Sequence, residues 1–230
     1  MWPSVITFDC YGTLVRWPET LRACFAALLP DGADVAAFHR DFNERQAELR
    51  REPYRPYTAM LRRGLLDTLA ARGLSAAADA PERFVQALRA IPPYPDVLPA
   101  LPQLAARYRL AIISNTEDGL IAETVRGLET PIAVITAEQA RAYKPDHRLF
   151  FYAFERLGVA ASDVLHVGAG YPTDMIPAFE LGLPRIWINR RGERADPSRP
   201  PTAELQDLSG LGALVDRIAS AERQGRGERS

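Results

Sequence analysis

The chain has 230 residues, of which 47% are hydrophobic and 25% are charged, so it can bury one large core or a core carrying a smaller inserted domain. Its formal net charge is -1, from 28 basic and 29 acidic residues, which argues against a nucleic-acid partner. The two cysteines, Cys10 and Cys24, lie in no Cys/His ligand pattern, so the sequence indicates neither a disulfide framework nor a zinc site. The amino terminus lacks a signal-peptide pattern and no apolar run could span a bilayer, so we expect a cytoplasmic protein without a membrane partner.

Five short apolar segments are predicted to be buried strands. The first, Val5–Phe8, ends abruptly at a polar cluster, and the others cover residues 110–113, 132–135, 164–167 and 185–188. Helical patterns separate them at residues 98–108, 119–127, 147–157 and 174–181, with Gly158 and Gly182 as signals for a helix end. This alternation predicts an α/β fold with a Rossmann-like parallel sheet as its core and helices on both faces.

The segment from about residue 18 to residue 91 interrupts this alternation. It contains no convincing strand and is typical of several amphipathic helices, with turns near residues 30–32 and 52–54. The proline-rich residues 91–96 are typical of a linker that returns to the core. We therefore predict a core domain of residues 1–15 and 95–230 and an inserted all-helical cap domain of residues 16–94. A helical layer stacked on one face of the sheet is the alternative.

Four polar clusters are predicted at the ends of strands. Open α/β sheets bind their ligands there. Asp9 ends the first strand, and a carboxylate there can attack an electrophilic carbon or phosphorus to form a covalent intermediate. Gly12 lets the chain turn sharply, and the Thr13 hydroxyl is expected to hold the Asp9 carboxylate. The structural alternative is that Asp9 only forms a turn or caps a helix.

The other clusters supply an amide, a lysine and a second carboxylate. Ser114 and Asn115 can bind a substrate oxyanion, and Lys144 before Pro145 can stabilise a carboxylate pair or a developing negative charge. Asp174 follows a glycine-rich strand end, which could bring it near the first carboxylate. Helix capping and an ordinary solvated lysine are the corresponding structural alternatives.

The order and spacing of these clusters resemble the four-motif signature of the haloacid dehalogenase superfamily, over residues 1–15 and 94–189. The position of the helical insertion between the first two motifs is also similar. The resemblance implies an active site between the core and the cap. The superfamily includes phosphatases, which carry a second aspartate two residues after the nucleophile and hold Mg²⁺ with an acidic pair.

This chain has Tyr11 and Ala169 where those phosphatase carboxylates stand. A phenol with an ordinary pKa of about 10 is a poor acid at neutral pH, and Mg²⁺ needs hard oxygen ligands. The Phe-Asp-x-Tyr-Gly-Thr-Leu segment is instead similar to that of the L-2-haloacid dehalogenases, which need no metal. The resemblance thus implies hydrolytic dehalogenation of a short 2-haloacid, without a cofactor.

By this resemblance, Asp9 displaces halide from the substrate, and water then attacks the side-chain carbonyl of the resulting ester. Lys144 and Asp174 position and activate that water. Ser114 holds the substrate carboxylate, Asn115 contacts the halide, and Tyr11 also binds substrate. A cap arginine cradles the halide, for which Arg45 is our prediction, while Arg50 and Arg16 remain open.

Three residues depart from the dehalogenase pattern. Ala169 and Tyr171 stand where serine and asparagine are found, and Phe150 stands where tyrosine is found. Three alternatives therefore remain: a Mg²⁺-dependent phosphatase acting on a small phosphate ester, a hydrolase of another small activated carboxylate, and a non-catalytic member that binds a small acid. We expect a small-molecule carboxylate as partner, and the resemblance allows a homodimer.

Overall fold

The computed structural model describes residues 2–227, with side chains described up to residue 221. Within these residues a sheet of six parallel strands has the order β3-β2-β1-β4-β5-β6. Every residue of β1 and β4 is buried, and because successive side chains point to opposite faces, both faces of the sheet are covered. The predicted α/β class is confirmed. The strands are β1 Val5–Phe8, β2 Arg109–Ser114, β3 Ala133–Thr136, β4 Val164–Gly168, β5 Arg185–Ile188 and β6 Ala203–Leu205.

Helices account for most of the remaining chain. Five of them lie between β1 and β2, and the first four of these fall within residues 16–94, where the insertion was predicted. Within the side chains described there, the rings of Phe25, Phe38, Phe42 and Phe84 pack at centroid distances of 4.9 to 5.6 Å and give this layer its own apolar centre. The helices are α1 Trp17–Leu28, α2 Val35–Leu49, α3 Tyr57–Ala71, α4 Ala80–Ala87, α5 Val97–Ala105, α6 Asp118–Arg126, α7 Ala137–Ala140, α8 His147–Leu157, α9 Ile176–Glu180 and α10 Leu211–Gly227.

Local signals set several helix ends. Asp146 accepts a hydrogen bond from the backbone N–H of Arg148 and caps α8, and Gly158 ends α8 in the left-handed conformation with φ of 65°. Gly182 has φ of 69° just beyond α9. The helix predicted to begin at residue 174 instead begins at Ile176, after a π-helical turn over Tyr171–Met175.

The structure differs from the prediction at the carboxyl-terminal end. The short edge strand β6 was not predicted, because its three residues are only partly buried and carry no apolar run. The glycine- and arginine-rich residues up to Gly227 belong to α10, although their composition predicts an irregular tail, and residues 228–230 lie outside the described part. Among residues 2–227, no helix combines the length and apolarity needed to cross a bilayer.

The strand order creates a crevice at the centre of the sheet. From β1 the chain proceeds to β2 and β3 on one side, whereas β4, β5 and β6 lie on the other side. The carboxyl ends of β2, β1 and β4 are therefore neighbours at the point where the order reverses. Open α/β sheets bind ligands at such a point.

Candidate active site

The carboxylate of Asp9 lies just beyond β1 and is held by Thr13. The Thr13 hydroxyl donates to Asp9 Oδ2 at 2.8 Å and accepts a hydrogen bond from the backbone N–H of Ala169 at 2.8 Å. Between Asp9 and Thr13 the chain turns at Gly12, which has φ of 88°, a conformation that is unfavourable for residues with a Cβ. Thr13 is fully buried, so its hydroxyl joins the ends of β1 and β4.

Lys144 bridges the two carboxylates of the crevice. Its ammonium Nζ donates to Asp9 Oδ1 at 2.9 Å, to Asp174 Oδ1 at 2.5 Å and to the carbonyl of Ile113 at 2.8 Å. An ammonium has three N–H donors, so all of them are used. Because the Lys144 side chain is 1% exposed, its charge is neutralised by these two carboxylates and not by solvent.

Asp174 is completely enclosed by hydrogen-bond donors. Oδ1 accepts from Lys144 Nζ and lies 3.3 Å from His166 Nε2, and Oδ2 accepts from the Gly170 backbone N–H at 3.1 Å and the Thr173 hydroxyl at 3.1 Å. The glycines of this segment allow the approach, because a Cβ on Gly168 would lie 2.7 Å from the Asp174 Cβ. A Cβ on Gly170 would lie 2.6 Å from Asp174 Oδ2.

Burial and charge act in opposite directions on this triad. Burial raises the pKa of Asp9 above its ordinary value, although Lys144 opposes the shift. Burial also favours the neutral form of Asp174, but the charge of Lys144 and the hydrogen bond from His166 outweigh it and lower the pKa of Asp174 to about 2. Burial acts to lower the pKa of Lys144, and the two carboxylates raise it. The cluster therefore holds an ammonium and an ionised Asp174 beside Asp9.

Asn115 and Ser114 follow β2 on the same edge of the sheet. The Asn115 side chain donates to the Lys144 carbonyl at 3.0 Å and accepts from the Lys144 backbone N–H at 2.6 Å, so it fixes the loop that carries the lysine. The hydroxyls of Ser114 and Thr116 are both buried, and neither has a hydrogen-bond partner among the described residues. From the sequence, Thr116 belongs to the same polar cluster as Ser114 and Asn115, although it was not chosen as a site residue.

The phenol of Tyr11 lies near the hydroxyl of Thr116. Its ring lies 5.0 Å from the ring of Trp17, and its buried hydroxyl has no hydrogen-bond partner that meets ordinary geometry in the described part. Burial raises the pKa of the phenol well above its ordinary value. Tyr11 is therefore neutral at physiological pH and can donate a hydrogen bond, but it cannot replace an acidic carboxyl group.

The structure does not bring Arg45 to the Asp9 cluster. Its guanidinium is held by Asp67 and Glu48 through ion pairs of 2.7 Å within the helical insertion. Arg50 instead faces a cavity of about 320 Å³ between the insertion and the loop around Lys144. No carboxylate within the described residues pairs with Arg50, and burial lowers its pKa because the charge is desolvated. The other side chains that contribute to this cavity include Arg51, Tyr54, Arg141, Tyr143 and Arg148.

The residues that depart from the dehalogenase pattern have structural partners here. The Tyr171 hydroxyl donates to the Arg199 carbonyl at 2.8 Å and accepts from the backbone N–H of Asp196 at 3.0 Å, and its ring packs 4.8 Å from Trp187, on the side of β5. The Phe150 ring packs edge-on at 5.3 Å from His166. Tyr171 thus contributes to packing and not to the Asp9 cluster.

One signal in the sequence was overlooked, and one residue of the site has no signal in the sequence. Lys144 is the single lysine among the 28 Lys and Arg residues of the chain, and its ammonium bridges the two carboxylates. His166 contacts Asp174 directly, although its position inside a strand gave no ligand pattern.

The donor set does not fit a Mg²⁺ site. Within residues 2–221, no group of three or more His, Cys, Asp or Glu side chains is arranged to hold a metal ion. Asp9 and Asp174 are the two carboxylates of the crevice, and the ammonium of Lys144 already lies between their oxygens. Mg²⁺ favours six oxygen ligands in octahedral geometry, which this arrangement lacks.

Comparison with known proteins gives matches that extend over the core and the insertion. The chain is 28% identical over 213 residues to the (S)-2-haloacid dehalogenase H-109 of Pseudomonas putida, which covers 88% of this chain and 93% of the relative. It is 41% identical over 83 residues to the haloacid dehalogenase-like hydrolase domain-containing protein 3 of Danio rerio, and spans 34% of that relative.

The fold also has close counterparts among solved structures. The L-2-haloacid dehalogenase from Xanthobacter autotrophicus with chloropropionic acid covalently bound has a TM-score of 0.80 at 22% identity, over 93% of this chain and 98% of that chain. A family model described as a haloacid dehalogenase-like hydrolase matches residues 3–182. The protein therefore belongs to the haloacid dehalogenase-like hydrolase family.

Proposed function

We propose that the protein hydrolyses the carbon–halogen bond of a short 2-haloacid through a covalent ester on Asp9, without a metal ion. The observation that carries the proposal is the position of Lys144, whose buried ammonium bridges Asp9 and Asp174 and so supplies the positive charge beside the nucleophile. Tyr11 in place of a second acidic residue supports the same reaction, since displacement of halide needs no acid for the leaving group.

In the first step, a carboxylate oxygen of Asp9 attacks C2 of the substrate. The new C–O bond forms as the carbon–halogen bond breaks, halide leaves with the bonding electrons, and the configuration at C2 is inverted. The Asp9 side chain is 11% exposed, whereas the side chains of Lys144 and Asp174 are 1% exposed, so Asp9 is the member of the cluster that faces incoming substrate in this proposal. Thr13 and Lys144 each hold one of its oxygens, which restricts the carboxylate to one orientation.

In the second step, water attacks the side-chain carbonyl carbon of the ester. Whichever oxygen of Asp9 carries the ester, the other is a carbonyl oxygen that keeps its donor, either Lys144 at Oδ1 or Thr13 at Oδ2. That donor stabilises the negative charge of the tetrahedral intermediate. Collapse then breaks the bond to the 2-hydroxy acid, restores the Asp9 carboxylate and releases one proton overall.

We further propose that Asp174 serves this step mainly by keeping Lys144 charged and in place. Its four donors leave no oxygen lone pair free for a water molecule. Direct activation of water by Asp174 would require one donor to leave, and the rotatable hydroxyl of Thr173 is the donor best able to do so.

Substrate contacts follow from the unpaired groups around Asp9. The free hydroxyls of Tyr11, Ser114 and Thr116 are suited to a carboxylate, which accepts hydrogen bonds from such donors. For the halide we propose Arg50 in place of Arg45, because Arg50 has no carboxylate partner among the described residues and, like Asp9, its charge acts on the buried Tyr57. Residues 16–94 would act as the cap that closes the site and excludes water during displacement.

The proposal is tested by a paired assay of the purified protein with EDTA or with Mg²⁺. One arm measures halide release from L- and D-2-chloropropionate and from chloroacetate, and the other measures phenolate release from an aryl phosphate. We expect halide release in EDTA with preference for the L-isomer, in line with the substrate named for the Pseudomonas putida relative. Phenolate release that requires Mg²⁺, or inactivity in both arms, would refute the proposal.

A further inference from the structure

His166 is a buried, polar side chain that the proposed chemistry does not use. It lies in β4 and is fully buried, and each of its two ring nitrogens contacts a different polar side chain. Nδ1 lies 2.9 Å from the hydroxyl of Thr7 in β1, and Nε2 lies 3.3 Å from Asp174 Oδ1. The ring packs at 77° to the ring of Phe150 and is 0% exposed, so no solvent reaches either nitrogen.

The neighbours of His166 determine which nitrogen carries the proton. Asp174 is ionised beside Lys144, and its oxygens are acceptors only, so the Nε2 that faces Oδ1 must present an N–H. The Thr7 hydroxyl has a single hydrogen, which can go to Nδ1 at 2.9 Å or to the Leu165 carbonyl at 3.4 Å. The shorter contact favours donation to Nδ1, which selects the Nε2–H tautomer.

We propose that His166, oriented by Thr7, is a positioning residue that fixes Asp174 Oδ1 and thereby places the ammonium of Lys144 against Asp9. The same oxygen accepts from both His166 and Lys144, so a shift of Oδ1 changes the length of the lysine contact directly. The charged groups around this oxygen are Asp174 itself, Lys144 and Asp9. The link to turnover rests on the proposed function, whereas the link to the lysine does not.

The tests remove each hydrogen bond with little change in volume. His166→Leu removes the N–H, whereas His166→Gln can present an amide N–H at the place of Nε2. Thr7→Val removes the hydroxyl that selects the tautomer, and Thr68→Val is its matched control because Thr68 is a buried threonine whose hydroxyl donates only to the Gly64 carbonyl in α3.

Two readouts distinguish positioning from a general loss of packing. The first is steady-state halide release, in which we expect kcat of His166→Leu to fall about tenfold or more with KM within about twofold. His166→Gln should recover most of kcat, Thr7→Val should lie between them, and Thr68→Val should match the wild type.

The second readout is the ¹⁵Nζ resonance of protein labelled with [¹⁵N]lysine, which contains one lysine side chain and so reports Lys144 alone. We expect this resonance to move in His166→Leu and Thr7→Val, and to stay in place in Thr68→Val. If His166→Leu folds, an unchanged resonance together with an unchanged kcat would overturn the proposal. If His166→Leu does not fold, the same result in Thr7→Val would overturn it. A moved resonance in a protein that releases no halide would support the positioning role while refuting the proposed reaction.

Discussion

Replacing Lys144 with methionine leaves two buried carboxylates facing one another without a counterion. The substitution keeps an unbranched side chain that is one heavy atom shorter, and it removes three hydrogen bonds and the positive charge. Removal of one partner of a buried ion pair typically costs about 3–5 kcal/mol of folding free energy, because the remaining charge is uncompensated. Here one ammonium contacts both Asp9 and Asp174, so its removal leaves the negative charge of both carboxylates without a counterion.

The protein can escape part of this loss by taking up a proton. Protonating a carboxyl group with an unfolded-state pKa of about 3.9 costs about 1.4 kcal/mol for each pH unit above that value, or about 4 kcal/mol at pH 7 and about 1.5 kcal/mol at pH 5. In the variant the folded-state pKa lies above the unfolded one, so stability rises as the pH falls. We therefore expect Lys144→Met to lose about 3–4 kcal/mol at pH 7 and at least about 2 kcal/mol less at pH 5.

Urea unfolding at both pH values, followed by far-ultraviolet circular dichroism, measures this difference directly. Arg62→Met is the control, because Arg62 pairs with Glu82 on the surface and solvent screens the pair. We expect only a small loss there. A loss below about 1 kcal/mol for Lys144→Met at pH 7, or an equal loss at both pH values, would show that Lys144 does not neutralise the buried carboxylates.

Four further outcomes are expected. Asp9→Asn should release no halide while unfolding at the wild-type urea concentration; sustained turnover, in protein whose mass shows no deamidation, would remove Asp9 from the nucleophile role. Because burial raises the pKa of Asp9, kcat/KM should fall on the acid side with an apparent pKa above the ordinary value of about 3.9, and a lower value would contradict the shift. Arg50→Gln should lower kcat/KM for 2-chloropropionate at least about tenfold and Arg45→Gln less than about twofold, in the same assay; equal effects would refute the choice of Arg50. Gly170→Ala should destabilise the protein by about 1–3 kcal/mol in urea unfolding, because the new Cβ would lie 2.6 Å from Asp174 Oδ2, and an unchanged midpoint would contradict the close approach.

The elements of the core and the order of the polar clusters can be predicted from local patterns in the sequence. Five apolar runs gave five strands in the right places, because burial on both faces of a parallel sheet requires continuous apolar residues that are visible locally. Helix α8 was predicted residue for residue, since both its aspartate cap and its terminal glycine are local signals. The edge strand β6 and the start of α9 depended on neighbouring strands and on the π-helical turn, which no local pattern encodes.

The partners of each polar side chain were decided only by the tertiary structure. Asp9 and Lys144 are 135 positions apart and meet because the strand order brings the ends of their segments to one crevice. The same packing placed Arg45 in surface ion pairs and left Arg50 facing the cavity, although both arginines lie on one stretch of chain. His166 received its contact to Asp174 in the same way. Residue types fix which interactions a side chain can make, whereas the distance and burial that select among them arise when distant segments pack.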